Sequence, residues 1–182
     1  MVLFKPVAAP SPKFDMNPSP LPWEEGLGQA VFTDVNLARG TEGALLLRNL
    51  IAFPRVMTLS VVALFRQALV HGSGTRGHNS PTFSESMGGD SVGTGIVLFG
   101  LHFRDGASHR NLDERSDSGR LHSLRGSGGG FTGSHDFWAP LPSPGDLEIF
   151  VAWPAAGIPE TRTVLDGSRI VDAAAALARR WS

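Results

Sequence analysis

Short stretches of alternating apolar and polar residues, separated by glycine- and proline-containing turns, most strongly limit what this chain can fold into. In the segment RVMTLSVVALFR, every second residue from Met57 to Phe65 is apolar, which places these side chains on one face of an extended chain. About eight segments of this kind follow one another without alternating helices. The pattern predicts a mainly β protein, either an antiparallel β-sandwich or a barrel-like fold.

The last part of the chain has a different period. In DGSRIVDAAAALARRW, the residues Ile170, Ala174 and Leu177 recur at the spacing of one helix face. We therefore predict one C-terminal α-helix over about residues 167–181. Its apolar stripe is expected to lie against the sheet.

A length of 182 residues favours one domain. Residues 1–25 contain six prolines, which lack the amide hydrogen that strand pairing needs, and this segment is predicted to be a proline-rich N-terminal arm. A single β-sandwich domain is expected over residues 26–182. Within it, residues 71–95 have few apolar side chains and are predicted to form a long flexible loop.

Composition excludes several classes of site and partner. The chain has no cysteine, which removes disulfides, zinc sites with thiolate ligands and cysteine nucleophiles. A formal net charge of −1 provides no general attraction to nucleic acid or to an anionic membrane. No stretch approaches the roughly 20 apolar residues of a membrane span, and Lys5 and Pro6 interrupt the apolar start of the chain. We expect a cytoplasmic protein without nucleic-acid or membrane partners.

Two glycine-rich motifs invite a functional interpretation. Residues 89–93 read GDSVG, which matches the G-x-S-x-G pattern of serine hydrolases, but Ser91 follows a loop and precedes a strand instead of a helix. The match is attributed to loop composition, and no catalytic residue is predicted. The run RGSGGG at residues 125–130 has neither the Gly-Lys-Ser/Thr sequence nor the helix start of a phosphate-binding loop. A flexible turn or glycine-rich bulge is predicted there, after a weaker strand at RLHSLR.

The histidines provide the most specific prediction. With Asp105 and Gly106 as the two central residues of a hairpin turn, His102 is expected opposite His109 on the paired strand. Directly opposed residues have Cβ atoms about 5 Å apart, so the two imidazoles are placed to start a divalent metal site. Further ligands from neighbouring strands are predicted to be His122, His135 and Asp136. The alternative is that these polar side chains form a rim of the sheet that simply faces water. Nothing in the sequence requires a cofactor.

Two tryptophans lie in segments rich in aromatic residues and proline, HDFWAPLPSPG and VAWPAAGIP. Trp138 and Trp153 are candidates for stacking on a sugar or a peptide. The alternative is a core role, because an aromatic side chain buries about 150–250 Å² and Trp153 continues the apolar face of a strand.

The segments FGLHFRDG, GSGGG and DFWAPLPSPGDLEIFVAWPAAGIPETRTVLDG resemble a family of uncharacterised actinobacterial proteins. The resemblance spans roughly residues 29–181 and skips the segment 71–95. Its most specific part is the series of Trp, Pro-Leu-Pro, Glu-x-x-x-x-Trp-Pro and Gly-Ile-Pro-Glu. The family has no established activity, so the resemblance implies an all-β domain with a terminal helix and assigns no functional residue.

Three functions follow as hypotheses. The first is a non-catalytic interaction or structural and assembly protein, which contacts a protein partner or a second copy through the N-terminal arm or the long loop. The second is a metal-dependent enzyme or metal-binding module that uses the histidine cluster. The third is a sugar- or peptide-binding module that uses the tryptophans.

Overall fold

The computed structural model describes residues 26–66, 96–111, 121–129 and 132–180. These residues form nine strands, one turn of 3-10 helix and one α-helix. The strands are β1 (Gln29–Arg39), β2 (Gly43–Ala52), β3 (Val56–Phe65), β4 (Leu98–Phe103), β5 (Ser108–Arg110), β6 (His122–Gly129), β7 (Thr132–Pro140), β8 (Asp146–Trp153) and β9 (Ile158–Asp166). The 3-10 turn is Pro154–Ala156 and the helix α1 is Gly167–Arg180. The predicted arm 1–25, the predicted loop 71–95 and Ser91 lie outside the described residues.

The strands form two antiparallel sheets. The larger sheet has the order β1-β2-β3-β7-β6, and the smaller has the order β5-β4-β8-β9. The chain therefore crosses from the larger sheet to the smaller between β3 and β4, returns between β5 and β6, and crosses again between β7 and β8. The apolar faces of the two sheets enclose one core, so the predicted sandwich is confirmed and the barrel alternative is not what forms.

The core lies between the inward faces of the two sheets. In β3, the alternation predicted from the sequence is present, and Met57, Leu59 and Val61 are fully buried. Phe99 of β4 and Phe137 of β7 stack across the space between the sheets, with ring centroids 5.4 Å apart and an interplanar angle of 9°. Both rings are buried, so this pair joins the two inward faces at their apolar centre.

The central strand of the larger sheet is also apolar on its outward face. Val56 and Val62 of β3 are buried, as is Trp138 of the neighbouring β7, although none of the three belongs to the core between the sheets. Antiparallel sheets that face water on one side normally alternate apolar and polar residues. The outward face near β3 is therefore less polar than simple alternation predicts.

The C-terminal helix α1 was correctly predicted from its period. The Asp166 carboxylate accepts a hydrogen bond from the amide of Ser168 at 3.0 Å, which caps the first turn. Ile170, Ala174 and Leu177 are buried, as the helical spacing predicts. The helix packs against β1 and β2 of the larger sheet and also contacts β8 of the smaller one. It therefore closes one side of the sandwich.

The turn between β4 and β5 differs from the predicted two-residue turn. The amide of Gly106 donates to the carbonyl of Phe103 at 2.9 Å, and the amide of Phe103 donates to the carbonyl of Ala107 at 2.8 Å. Residues 104–106 thus form a three-residue loop, in which Gly106 has a φ of +92°. A type I turn followed by a left-handed glycine is a common hairpin connection of this length.

The longer loop makes the predicted histidine pairing wrong. His102 lies opposite Ser108, and His109 lies opposite Leu101. Successive strand residues point to opposite faces, so a register change of one residue moves a side chain to the other face of the sheet. The two imidazoles are consequently on different faces and do not oppose each other.

Loss of the Phe99 ring should strongly destabilise the sandwich. Phe99→Ala leaves a cavity beside Phe137, and we expect the free energy of unfolding to fall by about 3–5 kcal/mol. Urea titration followed by circular dichroism measures this change. Val164→Ala is the control in the same sheet, because Val164 is 46 % exposed, and it should cost less than about 0.5 kcal/mol. Similar losses in the two variants would contradict the central role of the aromatic pair.

Candidate functional site

The two histidines of the β4–β5 hairpin have separate environments. The Nδ1 atom of His102 is 2.9 Å from the hydroxyl oxygen of Ser108. The imidazole of His109 is buried, and its centroid lies 5.0 Å from that of the Phe103 ring. His109 thus packs against the core, while His102 lies on the outward face of the smaller sheet.

His102 lines an open cleft of about 480 Å³ on that outward face. The other lining residues are Phe103, Arg104, Asp146 and Glu148. Glu148 is directly opposite His102 in the strand register. Its carboxylate forms an ion pair with Arg162, whose Nη2 atom is 2.6 Å from Glu148 Oε1. The carboxylate nearest to His102 in register is therefore already paired with a cation.

His122 and Trp138 form a stacked pair on the outward face of the larger sheet. They are cross-strand partners in β6 and β7. Their ring centroids are 4.1 Å apart and the rings are inclined by 10°. Trp138 is only 4 % exposed. This tryptophan thus stacks on a side chain of its own chain, and its stacking on a sugar or a peptide remains a prediction from the sequence.

Asp136 is the centre of a polar row on the same outward face. The Ser60 hydroxyl donates to Asp136 Oδ1 at 2.6 Å. Arg125 Nε donates to Asp136 Oδ2 at 2.6 Å. The three residues are in register across β3, β7 and β6. Both carboxylate oxygens therefore have partners within the chain.

His135 lies on the opposite face of β7 from Asp136 and points inward. Its Nε2 atom is 2.6 Å from the hydroxyl oxygen of Ser123 on β6. The ring packs on Phe137, with centroids 4.5 Å apart. Gly126 faces it from β6, and a Cβ atom at that position would lie 2.8 Å from Nδ1. Glycine therefore lets the imidazole lie close against the β6 backbone.

A β-bulge in β6 is what supplies partners to both faces of β7. The register shifts between Ser123 and Arg125, so Leu124 is the extra residue. In a regular strand, residues two positions apart lie on the same face. The bulge instead directs Ser123 inward to His135 and Arg125 outward to Asp136. One irregularity thus creates two distinct polar pairs at the edge of the sheet.

The five predicted metal ligands do not come together. His102 and His109 belong to the smaller sheet, whereas His122, His135 and Asp136 belong to the larger one and are divided between its faces. Among the residues that the structure describes, no group of three or more His, Asp or Glu side chains is placed to hold a metal ion. Metal binding therefore remains a prediction from the sequence.

Trp153 occupies the core. Its side chain is 1 % exposed, and its ring meets Phe65 edge to face, with centroids 4.7 Å apart and an interplanar angle of 82°. Its indole Nε1 makes no hydrogen bond in the described part of the chain. These contacts agree with the core role, which is the alternative to ligand stacking for this tryptophan.

The partners Ser60, Ser123 and Arg125 were not identified from the sequence. Ser123 and Arg125 lie in segments whose sequence predicts only a strand and a glycine-rich turn or bulge, and each of the three residues meets β7 through strand pairing between separate segments. A period-two pattern indicates which face a side chain occupies but not its cross-strand neighbour. The bulge at Leu124 also reverses the expected face of the residues on one side of it.

No protein-family model, curated protein or solved structure matches this chain. Within the described ranges, no helix is long and apolar enough to cross a membrane.

Acid should destabilise the fold through His135. Burial lowers the pKa of this imidazole below its ordinary value of 6.5, while the negative charge of Asp136 partly opposes that effect. Below about pH 6.5, the unfolded chain binds a proton that the folded chain excludes, so the free energy of unfolding should decrease as the pH falls. Urea titrations between about pH 5 and 8 measure this slope.

The matched variants isolate the contribution of His135. His135→Gln keeps a polar side chain beside Ser123 but does not titrate, so its free energy of unfolding should depend less on pH over this range. His102→Gln leaves His135 in place and should retain the acid dependence. An unchanged pH slope in His135→Gln would contradict the assignment.

Proposed function

We propose that this protein is an interaction or assembly protein that self-associates through the edge strand β6. This proposal rests chiefly on one observation: within the described ranges, β6 pairs with β7 alone, and no other described strand lies along its second edge. An exposed edge strand is a template for pairing with another strand. The sequence of β6, HSLRGSGG, has neither the proline nor the lysine that commonly protects such an edge.

The other three edges are less suited to strand addition. β1 has two register shifts, and its Asp34 has a left-handed φ of 53°. β5 has only three residues. β9 carries the charged side chains of Glu160, Arg162 and Asp166. Irregularity, shortness and charge each disfavour pairing at an edge, so β6 is the preferred contact.

A second copy fits this edge in a two-fold antiparallel arrangement. Side chains that oppose each other in a continuous sheet must lie on the same face. A register centred on Gly126 meets this requirement for residues 125–127 and places Arg125 of each copy opposite Ser127 of the other. The centre has no side chain to obstruct the close approach of the two strands. The result is a symmetric interface in which the same residues serve both copies.

The charge distribution along β6 is compatible with this register. The side chain of Arg125 is 85 % exposed and already forms an ion pair with Asp136. Because Ser127 and not a second arginine would face it, the arrangement opposes no like charges. Ser127 is exposed, and its hydroxyl is 2.8 Å from that of Ser134 on β7. A charged substitution at position 127 would therefore act directly on Arg125 of the other copy.

Charge substitutions at Ser127 test the interface. Ser127→Lys places a lysine opposite Arg125 of the other copy, and the two-fold symmetry repeats this repulsion at a second position. We therefore expect the dimer dissociation constant to rise by roughly tenfold. Ser127→Glu offers Arg125 of the other copy an opposite charge and should retain or tighten the dimer. Sedimentation velocity over a range of protein concentrations measures the dissociation constants.

The controls distinguish β6 from other contacts. Thr33→Lys adds the same charge to the exposed outward face of β1 and should leave the dimer intact. Deletion of residues 1–25 tests the arm that the sequence predicts as a contact. A wild-type chain that is monomeric at all concentrations, or a dimer that survives Ser127→Lys but not the deletion, would overturn the proposal.

A further inference from the structure

The pair formed by Ser123 and His135 is not used by the proposed interface. The hydroxyl oxygen of Ser123 is 2.6 Å from the Nε2 atom of His135, which is a short hydrogen bond for these atoms. Ser123 is exposed, whereas His135 is 8 % exposed. Ser123 is thus the solvent-exposed member of the pair, and its hydroxyl meets the imidazole in a partly buried contact.

The surroundings of His135 favour a fixed, neutral base. The Phe137 ring packs on the imidazole at 4.5 Å, and Gly126 allows it to lie against β6. Burial lowers the pKa of His135, so the neutral imidazole predominates at pH 7. When Nδ1 carries the hydrogen of the neutral ring, Nε2 is the acceptor and the Ser123 hydroxyl is the donor.

This arrangement meets the geometric condition for an activated nucleophile. A serine hydroxyl becomes reactive when an adjacent base lies within hydrogen-bond reach and can remove its proton. The bulged residue Leu124 follows Ser123 directly and has no register partner in β7. Bulges of this kind redirect side chains and are enriched beside active sites. The local irregularity therefore serves the orientation of Ser123.

We propose that Ser123 is a nucleophile, activated by His135, that accepts acyl groups from carboxylic esters with good leaving groups. Ser123 Oγ forms a bond to the carbonyl carbon, and the bond from that carbon to the leaving oxygen breaks. The Ser123 proton passes to His135 Nε2 and then to the leaving alkoxide, which departs as an alcohol. Water subsequently attacks the acyl-serine with His135 as base, which releases the carboxylic acid and restores the serine.

A fluorophosphonate with a short alkyl chain is the first probe. Ser123 Oγ forms a bond to phosphorus as the P–F bond breaks, and fluoride and the serine proton leave as hydrogen fluoride. Intact mass spectrometry and peptide mapping should find one adduct, at Ser123. The labelling rate should be level through neutral pH and should fall in acid, as His135 becomes protonated.

Matched variants separate the roles of the two residues. Ser123→Ala should remove the adduct, and His135→Gln should lower the labelling rate by roughly 10²–10⁴-fold, the usual contribution of a general base. Ser127 is an internal control for labelling, because it lies on the same strand but its hydroxyl contacts the hydroxyl of Ser134 instead of an imidazole. Circular dichroism and urea titration confirm that each variant is folded.

The absence of cysteine from the chain permits a second measurement that retains a nucleophile. Ser123→Cys and Ser127→Cys each introduce a single thiol, which is alkylated with iodoacetamide at pH 7. Because His135 can accept the thiol proton, Ser123→Cys should react about tenfold faster than Ser127→Cys. Adding His135→Gln to Ser123→Cys should abolish this difference.

Two results would overturn the proposal. The first is a fluorophosphonate adduct that is absent from Ser123 or equally abundant at Ser127. The second is an alkylation rate in Ser123→Cys that equals that in Ser127→Cys. Ser127→Lys is labelled in parallel, and because the proposed chemistry is complete within one copy, its Ser123 adduct should persist in the monomer. Failure of the interface and failure of the nucleophile are thereby distinguished.

Discussion

The packing of Phe99 against Phe137 joins the inward faces of two sheets whose strands have no backbone hydrogen bonds to each other. The apolar layer around this pair, together with the contact of Phe65 with Trp153, sets how β4 and β7 face each other. Phe137 also contacts the imidazole of His135. The core therefore extends to the edge of the larger sheet, where it holds one member of the polar pair.

The polar chemistry of this edge depends on the two faces of β7. His135 and Asp136 are adjacent in sequence, so strand geometry directs one inward and the other outward. Burial makes the inward face suitable for a neutral imidazole, while the partly solvated outward face supports the ion pair with Arg125. The bulge at Leu124 is needed for both, since it turns Ser123 and Arg125 to opposite sides.

The two proposals assign different parts of β6 to different roles. Self-association uses the backbone edge and the outward side chains of Arg125 and Ser127, whereas the nucleophile uses the inward side chain of Ser123. Each proposal stands on its own observation: an unpaired strand edge in the described part of the chain for the first, and a short hydroxyl–imidazole contact for the second. The same strand can serve both roles because its two faces and its edge are physically separate.

Local patterns in the sequence determined the fold class and the helix, because the period of apolar residues reports which side of a segment is buried. The clear alternation in β3 and the helical spacing of Ile170, Ala174 and Leu177 both have their expected structures. The composition of the glycine run predicts a turn or a bulge, yet β6 continues through Gly129, since pairing with β7 overrides weak strand propensity. Cross-strand partners were decided only by tertiary structure. One additional loop residue separated His102 from His109, and the bulge in β6 brought Ser123 to His135, because register depends on turn length and on pairing between distant segments.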